Sequence, residues 1–270
     1  METQTTTNIP KGDLSRCDVC GKVNKRWFEL FGVKRVVSII CDCEQKKLDD
    51  EKRQEELVTR KLKIKELRTM SLLGERYQNS SFETTTTGFN QSFDNAFNRC
   101  KKYCDGYEEN VKNGYGIYLF GDKGVGKTHL TACIVNDLLA KCVPVLFTNL
   151  FEISKSIKST FSKESTDTEQ QLIRKFSNIP VLVFDDLGTE NFVKISSDTW
   201  LQSVLFDLIN TRYNNQKATI FSSNYNLNEL ISKRGIFEKT VDRICEMTSG
   251  AVMKITGKSL RNNLKKNINF

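Results

Sequence analysis

Residues 121–128, Gly-Asp-Lys-Gly-Val-Gly-Lys-Thr, constrain this chain more than any other stretch. They satisfy G-x-x-x-x-G-K-[ST], a pattern that has meaning only between a strand and a helix. Both flanks comply. Residues 115–120, Tyr-Gly-Ile-Tyr-Leu-Phe, predict a buried strand. Residues 129–140 place Leu130, Ile134, Leu138 and Leu139 at helical spacing. In that context Gly121, Gly124 and Gly126 let the backbone turn tightly and aim N–H groups at phosphate oxygens. The helix N-terminus adds partial positive charge beside His129. Lys127 is placed to reach β- and γ-phosphates, and Thr128 to hold Mg²⁺. Asp122, Lys123 and Val125 complete the cradle. A bare glycine turn before a lysine would not require either flank.

The chain then alternates strand and helix. Strands are expected over residues 143–148, 181–184, 218–223 and 251–256. Helices are expected over 92–113, 150–161, 168–177, 198–214, 227–231 and 237–247. Continuous apolar strands with helical crossovers predict an α/β fold, a parallel sheet covered on both faces. Ligands sit at the carboxyl ends of such strands. The phosphate loop, Asp185-Asp186 and Asn224 all fall there. An apolar strand ending in acids has the form of a Walker B element. Asp185 is expected to hold Mg²⁺ and Asp186 to orient the attacking water, with Glu190 the weaker candidate for that acid. Asn224 is positioned to sense the γ-phosphate or help hold the water. Arg243 is the first candidate for an arginine finger acting on a neighbouring subunit, ahead of Arg234 and Arg261.

Nine cysteines divide unevenly. Cys17-x-x-Cys20 and Cys41-x-Cys43 form a cluster with the spacing of a closed tetrahedral Zn²⁺ site. Between the pairs, Trp27, Phe28, Leu30, Val33, Val36, Val37 and Ile39 supply two strands and a minimal core. A module this short needs a staple, which zinc provides. Cys100 and Cys104 lie on the apolar face of a helical pattern and read as core. Four segments follow: a polar leader at 1–12, the cysteine module at 13–43, a charged helical linker at 44–76, and an ATPase domain at 77–270. Residues 80–88 read as a Thr-rich loop. No apolar run approaches the ~20 residues of a membrane span. The leader lacks the features of a secretion signal, so a cytoplasmic location is expected. The net charge of +8 suits an acidic partner. The basic and aromatic helix over 150–163 and the segment 254–266 are the expected contacts to single-stranded DNA, through phosphates and without strong sequence preference.

With these residues in place, the chain resembles bacterial and phage helicase loaders of the DnaC/DnaI type and the related IstB ATPases. The resemblance covers residues 77–270. It rests on the loop continued by His129-Leu130, on Asp185-Asp186-Leu187-Gly188-Thr189-Glu190, on Asn210-Thr-Arg-Tyr213, on residues 219–224, on Asp242-Arg243-Ile244, and on Gly257-Lys-Ser-Leu-Arg261. It implies an AAA+ ATPase without a separate helical lid. ATP hydrolysis is expected to be slow and stimulated by partners. The N-terminal module would bind the replicative helicase, the ATPase domain single-stranded DNA, and neighbouring copies would assemble side by side. A transposition helper of the IstB kind and a nucleotide-switched adaptor with little turnover are the alternatives. A small-molecule kinase is disfavoured, since no acceptor-binding lid follows the loop.

Overall fold

The computed structural model describes residues 16–22, 25–30, 32–38, 40–161, 168–188 and 199–260. The chain divides into two compact units, residues 1–62 and 63–270. In the first, β1 (Lys25–Leu30) and β2 (Val33–Ser38) pair antiparallel, from Lys25 opposite Ser38 to Leu30 opposite Val33. Helix α1 (Asp42–Met70) begins at the last cysteine pair and continues past the unit boundary. It buries no residue, as its evenly spread Lys, Arg and Glu require.

The second unit is built on one parallel sheet. Its strands are β3 (Ile117–Gly121), β4 (Val145–Thr148), β5 (Val181–Leu187), β6 (Ala218–Ser223) and β7 (Val252–Ile255). Their spatial order is β4-β5-β6-β3-β7. Successive side chains of a strand point to opposite faces, and the core divides accordingly. Ile117 and Leu119 of β3, with Val181 and Val183 of β5, join one cluster. That cluster also holds α2 (Gln91–Asp105) and α4 (Lys127–Ala140). Tyr118, Leu182 and Phe184 join the other. Helices α5 (Leu150–Ser159), α7 (Thr199–Asn214) and α9 (Glu238–Met247) cover that face. Between them run α6 (Glu169–Asn178) and α8 (Leu227–Ser232), each opened by a capping box, Thr168 with Gln171 and Asn226 with Glu229.

Three local differences from expectation have physical causes. The helix expected over 92–113 breaks at Gly106, before a short α3 (Tyr107–Lys112), because glycine is a poor helix former with an unrestricted backbone. Strand β5 does not stop at Phe184 but runs through both acids to Leu187, with an irregular register against β6 between Phe184 and Leu187. The stretch after α1 contains a 3₁₀ turn (Glu75–Tyr77) and packs on the sheet domain. Phe82 is buried there, and the Asn136 amide of α4 donates to the carbonyls of Tyr77 (2.9 Å) and Ser80 (2.8 Å). Cys100 and Cys104 are buried in the core, and burial pushes both thiols well above their ordinary range. The expected leader at 1–12 lies outside the described residues. No helix among the described residues is long and apolar enough to cross a membrane.

Candidate functional site

The phosphate loop leaves β3 at Gly121 and enters α4 at Lys127. Gly126 caps α4 in a left-handed conformation, φ 99°. A Cβ at that position would lie 2.6 Å from the ring of Phe93, so conformation and packing both require glycine. Lys127 is almost wholly buried. Its ammonium donates to the carbonyls of Gly121 and Asp122, both at 2.8 Å, and to Asn224 Oδ1 at 2.9 Å. A residue of β3's loop is thereby tied to the end of β6, two strands that are neighbours in the sheet.

Next along the helix, the Thr128 hydroxyl faces Asp185, 3.3 Å from Oδ1 and 3.2 Å from Oδ2. Asp185 also accepts a short hydrogen bond from the Ser222 hydroxyl. Burial raises the Asp185 carboxyl, with Asp186 adding to the effect, to about 6 despite these donors and the nearby Lys127. Asp186 differs in every respect. Its φ is 53°, its side chain is exposed, and its backbone N–H donates to Ser222 Oγ at 3.0 Å. The irregular register of β5 thus turns two consecutive acids to different places. Asp185 is held against Thr128, and Asp186 opens on the cavity.

That cavity has a volume of about 1090 Å³. Lys123, Gly124, Gly126, Lys127, Thr128 and His129 line it, with Asp186 and Asn224. The stretch after α1 lines it too, through Arg76, Tyr77, Asn79, Ser80 and Thr84–Thr86. Sequence reading treated residues 80–88 only as a loop; here they form a wall. His129 fixes that wall, with Nε2 2.8 Å from Thr85 Oγ1, and burial lowers its pKa. Val125 is buried beneath the loop, and Asp122 contributes its carbonyl to Lys127. Ser222 was also missed, although a buried Ser222-Ser223 pair ending an apolar strand was a legible signal.

Neither described arginine named as a finger lines the cavity, though Arg76 does. The Arg243 guanidinium stacks 4.6 Å over Tyr213, pairs with Glu246 at 3.1 Å and reaches Asn210 Oδ1 at 3.5 Å. Arg234 lies 5.0 Å over the ring of Tyr225. Glu190 and Arg261 fall outside the described residues.

In the first unit, the sulfurs of Cys17, Cys20, Cys41 and Cys43 all lie within 4.8 Å of one another. Tetrahedral Zn²⁺ with Zn–S bonds of ~2.3 Å separates its sulfurs by ~3.8 Å, so the donor set fits that ion. Backbone N–H groups of Cys20 and Val19 directed at Cys17 bring its thiol down to about 7, favouring the thiolate a metal needs.

A separate cluster joins Lys158 of α5 to Phe161, just beyond that helix, and Trp200 of α7. Phe151 and Phe161 are exposed. Phe161 packs edge-on against Trp200 at 5.9 Å, and the Lys158 ammonium lies 5.2 Å over the Trp200 ring.

The family model described as "IstB-like ATP binding protein" matches residues 41–268. The chain is 28% identical over 184 residues to the replicative helicase loader DnaC of Escherichia coli (strain K12), covering 67% of this chain and 70% of that protein. It is also 28% identical over 187 residues to the replicative helicase loader DnaI of Bacillus subtilis (strain 168), covering 69% of this chain and 54% of DnaI. Among solved structures, that of the DnaC helicase loader aligns with a TM-score of 0.57 at 27% identity, covering 67% of this chain and 99% of the other.

Proposed function

From a chain that belongs to the family of IstB-like ATP-binding proteins, with an AAA+ sheet core like that of DnaC, we propose an ATP-dependent helicase loader of DNA replication. One observation carries this reading. Lys127, Thr128, Asp186 and Asn224, drawn from three strand ends, line one cavity, with Asp185 hydrogen-bonded directly behind Thr128. In the proposed mechanism the loop N–H groups and Lys127 hold the β- and γ-phosphates, Lys127 exchanging its carbonyl partners for phosphate oxygens. Thr128 and Asp185 would hold Mg²⁺, which would offset the charge that develops on the phosphates. Asp186, exposed on the cavity, orients the attacking water, and Asn224 reports the γ-phosphate to β6. Hydrolysis converts ATP and water to ADP and phosphate, slowly unless a partner stimulates it.

The other parts follow the same proposal. Residues 13–43 form a zinc-stapled module that binds the replicative helicase. Residues 44–76 link it to an ATPase domain at 77–270, and the protein acts in the cytoplasm. Phe151, Phe161, Lys155 and Lys158 offer stacking faces and cations to single-stranded DNA. Copies assemble side by side, and Arg243 serves a neighbour's site after leaving Glu246 and Asn210.

The discriminating experiment is a pull-down with the host's replicative helicase, with and without ATP, using the wild type and Lys127→Ala. A loader retains the helicase and shows an ATP-dependent change that Lys127→Ala abolishes. No helicase retained in any condition would refute the loader reading and favour a transposition helper. Full function with turnover suppressed would favour the switched adaptor.

A further inference from the structure

The nucleotide cavity has an outer support that none of its proposed phosphate or metal contacts accounts for. After β7 the backbone at residues 256–260 turns back along the phosphate loop. The Leu260 N–H donates to the Gly124 carbonyl at 2.9 Å, and Leu260 reaches the cavity wall. Ser259 lies against Gly124 so closely that a Cβ there would meet its hydroxyl at 2.2 Å. Gly124 itself has φ 84°, so the space and the conformation both exclude a side chain.

This segment is anchored by the first turn of α2. Asn90 caps that helix, its Oδ1 accepting from the N–H groups of Ser92 (2.9 Å) and Phe93 (3.2 Å). The same amide donates through Nδ2 to the Thr256 carbonyl. The Ser92 hydroxyl donates to that carbonyl at 3.1 Å and accepts from the Thr256 N–H at 2.9 Å. Phe93, one residue on, presses on Gly126. The helix start therefore holds the loop twice, directly at Gly126 and through residues 256–260 at Gly124.

We propose that Asn90 and Ser92 are positioning residues for the phosphate loop: by clasping Thr256 they seat Ser259 and Leu260 on Gly124 and hold the loop in its phosphate-binding shape before nucleotide arrives. Neither touches nucleotide. A loop released from the clasp must be ordered by the incoming phosphates, which weakens ground-state binding. Once bound, the reacting groups meet as before. The consequence is a raised KM with a retained kcat.

This rests on the nucleotide-site reading, and two variants of the full chain separate them. Asn90→Asp keeps the oxygen that caps α2 and replaces the Nδ2 donor with an acceptor facing the Thr256 carbonyl. Ser92→Ala removes the hydroxyl that accepts from the Thr256 N–H. Each is expected to weaken binding of a fluorescent ATP analogue about tenfold or more and to raise KM for ATP similarly. Both should leave kcat within about twofold, with circular dichroism unchanged. Folded Asn90→Asp protein that binds the analogue as tightly as wild type overturns the clasp. So does a fall in kcat with KM unchanged. Lys127→Ala, run alongside, reports on the site itself: if it binds normally, the site reading fails first.

Discussion

Asp185 sits where the empty protein and the loaded protein have opposite needs, and Asp185→Asn measures that conflict. Burial lifts its carboxyl from an ordinary 3.8 to about 6. At ~1.4 kcal/mol per pH unit, holding it ionised at pH 7 costs the ligand-free fold about 3 kcal/mol. Asparagine has nearly the same shape and no charge. It weakens the bonds from Ser222 and Thr128, which returns about 1–2 kcal/mol of that gain. The ligand-free variant should therefore be more stable by about 1–2 kcal/mol, a rise in Tm of roughly 3–6 °C for a domain this size. The pH dependence has a definite sign. The folded state binds this proton more tightly than the unfolded state, so the contribution is favourable at low pH and is lost as pH rises from 3.8 through about 6. The advantage of Asp185→Asn should thus shrink at pH 5. Saturating Mg-ATP should invert the order, because ligand at a thousand times Kd adds about 4 kcal/mol to the wild type only. Melting curves of both proteins with and without Mg-ATP at pH 7.5 and 5 test this. A ligand-free variant that melts below the wild type at pH 7.5 would refute the reasoning.

Three further outcomes are expected. Arg212→Leu should destabilise the protein by about 3 kcal/mol or more in urea titrations. This wholly buried guanidinium donates to the carbonyls of Phe176, Ile179 and Ala218, and its loss strands them. Cys17→Ser with Cys41→Ser should release one zinc per chain by elemental analysis and unfold residues 13–43; metal-free wild type would contradict it. Phe151→Ala with Phe161→Ala should weaken binding to oligo-dT by about 1–3 kcal/mol per lost stacking contact, leaving the salt dependence intact. Unchanged affinity would move the DNA contact elsewhere.

What was legible in the sequence is what periodicity and spacing record. The phosphate loop announced both flanks, and unbroken apolar runs marked β3 and the first four residues of β5. The Cys17–Cys43 spacing brought four thiols together. What was not legible depends on partners far apart in sequence and on segments without a period. Nothing local in Asn90 says that it meets Thr256, 166 residues on. Residues 76–86 hold to α4 through Asn136 and His129; His129 was read only as part of the phosphate cradle, and neither position names its partner across the chain. The apolar run to Phe184 with acids after it could not say that an irregular register would separate Asp185 from Asp186 while the strand continued. Arg212 entered only within Asn210-Thr-Arg-Tyr213, and its burial was not legible, because burial of an arginine needs carbonyls that only the assembled α6 and β6 provide.

The sheet order also sets when the protein can begin to work as it is made. β3 forms early, yet its two neighbours come late: Ile117 pairs with Ile220, and Tyr118 with Val252. Each pairing closes a loop of roughly a hundred residues or more, the slow kind of contact. A nascent chain released anywhere before Val252 has exposed the phosphate loop with one side of its strand unpaired. Nucleotide capture should therefore appear abruptly in a series of ribosome-stalled lengths, once residues through β7 have cleared the exit tunnel. Capture by chains ending at residue 240 would show that β3 needs no flank on that side.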